Sequence, residues 1–467
     1  MIATEEPRTM TTMEIARETG RNAPSIADRM AEGRAIRQNV PRSAHGAWTP
    51  PADRPNPLDL LTAQDEGRLQ DLVPIRYGRM LASPFAFLRG SATVMARDLA
   101  GTPTSGLIVQ ACGDAHLSNF GVYGTPERSL VFDLNDFDET LPAPWEWDLK
   151  RLVASLVVAA RANGFRPGQC ADAARAAARK YREQMSSYAM MSYREIWYAR
   201  ITAEDIMANA PASIRQDLQR GARRATHHDH LQALAKMTTQ VDGSIRIVDD
   251  APLIMHLSDE ILGEHLPRIA KAYRSSIRDD LRMLLRRYNF VDFAQKVVGV
   301  GSVGTRCYIV LMQGSGPNDP LFLQIKQASA SVLEPYAGKS RYTNHGQRVV
   351  RGQQYIQAAS DIFLGWGREK WLDIYVRQLR DMKGSADVAS MDPKRMALYA
   401  SLCGWALARA HARSGDAAKI AGYIGTSDRF DSALVEFANS YADQTERDHA
   451  TLAEAVKVGR IRAETDR

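Results

Sequence analysis

Most of what would mark a secreted, membrane-bound or low-complexity protein is missing from this chain. Its 467 residues include only four cysteines, Cys112, Cys170, Cys307 and Cys403, far apart and with no C-x-x-C pair. That leaves no disulfide framework, and with no secretory apolar region at the amino end it predicts a reduced, cytoplasmic protein. The most apolar run, Leu152 to Ala160, is far shorter than the roughly 18 residues a bilayer span needs, so no membrane partner is expected. Aromatics make up 7% of the chain, and the basic residues, six more than the acids, are scattered among them. The absence of a basic and aromatic stripe argues against nucleic acid as a partner. An apolar fraction of 45% can still supply the cores of two or three lobes.

What is present is a dense patch of acids and amides. Cys112-Gly113-Asp114-Ala115-His116-Leu117-Ser118-Asn119-Phe120 is followed by Phe132-Asp133-Leu134-Asn135-Asp136-Phe137-Asp138. A short strand from Phe120 to Tyr123, a turn over 124–128 and a second strand from Leu130 to Leu134 would deliver Asp136 beside Asp114 and Asn119. This suits phosphoryl transfer, in which Asp114 takes the acceptor's proton, Asn119 and Asp136 hold Mg²⁺ on nucleotide phosphates, and Asp138 is a second candidate ligand. The competing explanation is a tight loop that Asp114 and Asn119 merely stabilise, since both residue types are common in turns.

A second motif lies far downstream, where Gly299, Gly301 and Gly304 form G-x-G-x-x-G with Ser302 among them. A dinucleotide fold needs a helix directly after these glycines, whereas Arg306 to Leu311 is strand-like. A Walker loop needs a lysine after the last glycine, and none follows. A kinase-type glycine flap over ATP phosphates remains, and it requires a lysine on a following strand. Leu321 to Lys326 supplies one, 22 residues past Gly304. A lysine on so apolar a strand either meets phosphates and an acid or snorkels to water, and the first is favoured, with Glu334 as the candidate acid. The helix expected from Gln347 to Ala359 offers Gln353 and Gln354 but no Glu. Trp371 to Leu379 runs into Arg380 to Ser385, a segment suited to an adenine-reading hinge. Asp392-Pro393 then caps a helix on which Met396, Tyr399, Cys403, Leu407 and Ala410 share one face.

The remaining segments set the domain limits. Residues 1–57 are polar, with a helix expected from Ser25 to Gln38 and five prolines between Pro41 and Pro57, and predict a mobile arm and extended connector. Residues 58–288 form a mainly helical lobe carrying the acidic loop, 289–385 a β-rich nucleotide lobe, and 386–467 helices that pack back on the first. In the helical lobe, Arg76, Arg79 and Arg89 either reach phosphates or lie over aromatic faces. Ser258 to Tyr288 is expected to be one long helix. His227, His228, Asp229 and His230 cannot converge on one ion from a helix and read as a solvated cluster.

The pattern C-G-D-A-H-L-S-N followed by N-D-F-D resembles the catalytic loop of small-molecule kinases of the aminoglycoside phosphotransferase and choline kinase type, H-G-D-x-H-x-x-N followed by I-D-F. Cys112 departs from it, standing where that pattern has histidine. In those kinases a further acid starts the next helix about a dozen residues after the metal-binding Asp. Asp148 follows Asp136 by twelve, which selects Asp136 over Asp133. The resemblance implies ATP and Mg²⁺ and an α+β, protein-kinase-like two-lobed fold, with a large helical lobe and a small antiparallel-sheet lobe. Kinases begin with the glycine loop, whereas here the acidic loop comes first, so the fold is expected in circularly permuted order. Permutation requires the helix ending near His411 to lie beside the strand from Leu107 to Gln110, and Lys326 to face Asp136 across a cleft.

From about Val40 to Tyr441 the chain also resembles a bacterial family catalogued only as a domain of unknown function, on the strings R-Y-G-R-M, S-P-F-A-F-L-R-G, F-D-L-N-D-F-D-E and V-G-V-G-S-V-G-T-R. That resemblance brings no activity. The expected function is an ATP- and Mg²⁺-dependent phosphotransferase acting on a small-molecule or protein hydroxyl. Its rivals are a kinase-like AMP transferase with the nucleotide reversed and a pseudokinase that binds nucleotide without catalysis.

Overall fold

Helix Trp145–Ala162 is buried along almost its whole length, with an apolar stretch from Leu152 to Ala160 broken only by Ser155 and with Glu146, Asp148, Lys150 and Arg151 buried in its first two turns. Helices Pro167–Ala189, Pro393–Ser414 and Arg429–Lys457 pack around it in one continuous apolar core. Pro167–Ala189 and Pro393–Ser414 approach so closely that a Cβ at Gly404 would collide with the Ala177 carbonyl. Small residues at both surfaces, Ala173 and Ala177 against Ala400 and Gly404, permit that approach.

The structure, a computed structural model, describes residues 24–227, 234–235, 237–241, 244–257, 259–297, 299–379 and 384–465. It is a mixed α and β fold in which every described strand pairing is antiparallel. The largest sheet has six strands in the order Gly365–Glu369, Leu372–Gln378, Pro320–Gln327, Cys307–Gln313, Asn289–Lys296 and Ile254–His256. Pro320–Gln327 lies inside it and is buried on both faces, which explains its unbroken apolar run. Helix Asp259–Ser276 covers one face through Ile269 and Tyr273 against Phe293, Leu323 and Val376. The other face packs Ile309, Leu311 and Phe322 against Met237 and Ile247.

Two expectations change. The stretch from Ser258 to Tyr288 is two helices, Asp259–Ser276 and Asp279–Leu285, because Arg278 turns extended and Asp279 and Asp280 start a new first turn where acids favour the helix dipole. Residues 25–57, expected as a mobile arm and connector, are instead packed. Helix Ile26–Ala35 starts at Ser25 with a reciprocal cap to Asp28. Arg37 donates to the carbonyls of Gly422 and Tyr423, at 2.5 and 2.8 Å. Arg42 donates to that of Ile424 at 2.7 Å, so both arginines satisfy the carboxyl end of helix Ala417–Ile424. His45 is buried with its ring Nε2 2.6 Å from the Tyr423 hydroxyl.

One expected juxtaposition is present, and two expected segments fall wholly or partly outside the described residues. Helix Pro393–Ser414 ends beside strand Ile108–Ala111, where Ser414 Oγ accepts the Gln110 N–H at 3.0 Å. The hinge candidate lies outside the described residues over 380–383, and Gly384–Ser385 pairs with Phe120–Gly124. His228, Asp229 and His230 also lie outside them. No described helix is long and apolar enough to cross a membrane.

Candidate active site

Strand Ile108–Ala111 pairs with Leu141–Pro144 and leads into a turn at Gly113. Gly113 has φ +84°, and a Cβ there would collide with the Glu139 carbonyl, so the turn requires glycine. Asp148, in the first turn of Trp145–Ala162, accepts the N–H groups of Cys112 and Gly113 at 2.6 and 2.9 Å. The same carboxylate lies 3.2 Å from His411 Nε2, whose Nδ1 is 2.8 Å from the Tyr181 hydroxyl. A buried carboxylate therefore fixes the backbone that carries Asp114.

Across the loop, Asn119 Nδ2 donates to the Asp114 carbonyl at 2.7 Å, which leaves the amide oxygen free of that bond. The hairpin Phe120–Gly124 and Leu130–Leu134 then brings Asp136 and Asp138 alongside. Arg151 meets Asp114 Oδ1 with Nε at 2.8 Å and Nη2 at 2.6 Å. Burial raises the Asp114 pKa above its ordinary value, against the pull of Arg151.

The opposite wall comes from the six-stranded sheet. Lys326 stands on Pro320–Gln327 in register with Cys307 and Tyr375, and its Nζ lies 2.6 Å from Asp138 Oδ2. Tyr375 donates its hydroxyl to Asp138 Oδ1 at 2.5 Å, and Ser302 Oγ donates to Oδ2 at 3.3 Å. Burial opposes charge on Lys326, but Asp138, Tyr375 and Asp136 together hold the ammonium well above its usual pKa. Asp138 goes below its own despite burial, chiefly through Lys326. The pair is a charged lysine and a carboxylate.

Glu334, expected beside Lys326, is elsewhere. It begins the short helix Glu334–Ala337 and lies 3.8 Å from His345 Nδ1. The chain leaves the sheet at Ser331, whose Oγ donates to the Glu139 carbonyl, while Val332 N–H donates to the Glu139 carboxylate, and this carries Glu334 away from the cavity. Gln353 does not take its place, since it bonds Gln357. The contribution of helix His345–Ile356 is Arg348, which donates to the carbonyls of Asp138, Thr140 and Ser329.

Gly299 to Gly304 link the antiparallel strands Asn289–Lys296 and Cys307–Gln313 through a single 3₁₀ turn, Val300–Ser302. Gly304 has φ +86°, and its carbonyl accepts Leu69 N–H at 2.7 Å. Arg68 donates to the Val303 and Gly301 carbonyls, at 2.5 and 3.1 Å, and ties the turn to the helical part of the chain.

One cavity of about 400 Å³ unites these groups, with Asp114, Asn119, Asp136 and Asp138 on one wall and Gly299, Gly301, Ser302 and Lys326 on the other. Gly304 lies behind the turn rather than in the wall. Among the described residues no cluster of three or more His, Cys, Asp or Glu is placed to hold a metal. Mg²⁺ asks for less, since it is commonly held by one or two carboxylates together with waters and substrate phosphates. The oxygens of Asn119 and Asp136 fit that demand. Asp138 already accepts from Lys326, Ser302 and Tyr375, so a cation would share its oxygens with them.

Several working residues were not foreseen. Arg151 sits three residues after Asp148 on one helix, a spacing visible in the sequence that places both near the same loop. Tyr375 and Arg377 had no local signal, since only the sheet register puts them opposite Lys326 and Gln324.

A family model described as "Uncharacterized protein conserved in bacteria (DUF2252)" matches residues 68–455. No curated protein and no solved structure matches the chain.

Proposed function

The chain belongs to the DUF2252 family, and because that name carries no activity we propose from the cavity itself that the protein is a phosphotransferase, moving the terminal phosphate of ATP to a hydroxyl in a Mg²⁺-dependent reaction. We further propose a protein-kinase-like fold in circularly permuted order, supported by the contact of Ser414 with Gln110.

The observation that carries this reading is the convergence of Lys326 and Asp138, 188 residues apart, with Asp114, Asn119 and Asp136 beneath a glycine turn. A base, an amide and carboxylate suited to a hard cation, and a strand lysine are the parts that phosphoryl transfer uses. In this scheme Asp114 takes the hydroxyl proton as the acceptor oxygen bonds to the γ-phosphorus, while the bond from that phosphorus to the bridging oxygen of ADP breaks. The burial that raises the Asp114 pKa makes it a better base near neutral pH, and Arg151 fixes its orientation. Lys326 neutralises phosphate charge, and the N–H groups of the glycine turn approach the phosphates without side chains intervening. When bound by Asn119 and Asp136, Mg²⁺ would neutralise charge developing on the phosphate oxygens.

A thermal-shift measurement with ATP and Mg²⁺ on wild type and Asp136→Ala, followed by mass analysis of candidate acceptors, tests the reading. Nucleotide-dependent stabilisation lost in the variant, and a product heavier by one phosphate, are expected. A product heavier by one AMP, stabilisation without turnover, or no stabilisation at all would each reject it.

A further inference from the structure

Among the described residues, one cation of the cavity wall is not committed to a protein acceptor. Lys326 is paired with Asp138, Arg68 with the carbonyls of the glycine turn, and Arg377 with the Gln324 side chain and the Asn135 carbonyl, while Arg151, outside the wall, is paired with Asp114. Arg89, in the last turn of helix Pro84–Gly90, lines the same cavity and stands over the Phe85 ring at 6.0 Å. Its Nε is shielded from solvent and has no hydrogen-bond partner. Arg89 is half-buried, so its head is part-shielded without a protein acceptor, and a ligand that supplies acceptors relieves the cost of that shielding.

Its position indicates which ligand. A Cβ at Gly301 would stand 3.3 Å from the Arg89 carbonyl, so this residue lies directly against the glycine turn. Its guanidinium is within the electrostatic reach of both Asp114 and Asp136, the two carboxylates flanking the path of a transferred group. The other arginines of this region are ruled out by their places. Arg76 is fully buried and bonded to Asp65, Gln64 and the Gly90 carbonyl. Arg79 is not part of the cavity wall.

We propose that Arg89 grips the terminal phosphate of the bound nucleoside triphosphate from the helical side, opposite Lys326, and so sets the preference for triphosphate over diphosphate. The inference rests on the phosphotransferase reading and adds to it a residue that distinguishes the phosphates. A planar guanidinium can give two parallel N–H bonds to one phosphate, which a diphosphate lacking the γ group does not receive. The contact also neutralises an oxygen of the group in transit, leaving the proton of the acceptor to Asp114.

Calorimetric titration with ADP and with the β,γ-imido analogue of ATP, each with Mg²⁺, tests this without turnover or a known acceptor. Wild type is expected to bind the analogue more tightly than ADP. Arg89→Ala is expected to weaken the analogue by roughly 10- to 100-fold while leaving ADP unchanged, and Arg89→Lys to fall between. Should the alanine variant fail to fold, Arg89→Gln, which keeps a stem over Phe85, gives the same contrast. Equal weakening of both ligands, or no change in either, overturns the Arg89 assignment and leaves the site reading standing. A wild type that binds neither nucleotide removes both.

Discussion

Lys326 and Asp138 form a 2.6 Å ion pair that joins the central strand of the six-stranded sheet to the acidic segment behind the loop. Tyr375 and Ser302 complete the shell of Asp138, so the resting site has its lysine already neutralised. An incoming phosphate must compete for that ammonium, and a phosphate oxygen that draws Lys326 towards itself loosens the hold of the sheet on Asp138.

Removing the lysine therefore costs stability as well as binding. Lys326→Met leaves the Asp138 carboxylate enclosed without its counter-charge, and the expected loss is roughly 3 kcal/mol in chemical denaturation. Lys326→Met with Asp138→Asn should recover much of it. If the single variant is as stable as wild type, the pair is not structural.

Asp148 is expected to govern loop order rather than chemistry. Asp148→Asn places an amide where the carboxylate receives two backbone N–H groups, at a cost of about 2 kcal/mol for the lost charge-assisted bonds. Hydrogen exchange should quicken at Cys112 and Gly113 more than in helix Pro167–Ala189. Uniform acceleration across both regions would contradict this role.

Asp114→Asn separates binding from transfer. A positioned base contributes about 10²–10⁴ in rate, so transfer should fall by that order while ATP affinity stays within about threefold. Retained turnover by this variant would remove Asp114 from the mechanism.

Lys150 gives a pH signature unrelated to catalysis. It is fully buried over the Phe437 ring, its Nζ has no hydrogen-bond partner, and burial pushes its pKa from 10.5 to about 7. Between those values the unfolded chain binds the proton that the folded chain has released, so stability should rise as pH climbs from about 7 towards 10.5. Lys150→Met should flatten that rise and stabilise the protein near pH 7, by up to about 4 kcal/mol. Thermal melts of both proteins across this range decide the matter.

The loop, its hairpin and the lysine strand were readable because each is a local pattern. Asp114, Asn119 and Asp136 lie within 23 residues, Leu130–Leu134 has the limits expected, and the apolar flanks of Lys326 announce a central strand. The partner of Lys326 was not readable, because nearness along the chain favours Glu334, whereas the pairing reaches back across 188 residues to Asp138. The early segment misleads for a related reason. Its prolines and polar residues suggest an extended linker, yet Arg37, Arg42 and His45 are polar because they meet polar groups near Tyr423. Composition records what a side chain is made of, and here the partner lay at the other end of the sequence.

Those arginine contacts also bear on how the protein can be divided. Residues 25–57 finish the last turn of a helix that begins at Ala417, so the segment before the family match acts as a splint for the far end of the chain. Cutting at the family boundary would strand the Gly422, Tyr423 and Ile424 carbonyls and bare the apolar flank of helix Arg429–Lys457, so that a shortened version would tend to self-associate while its catalytic loop was still intact.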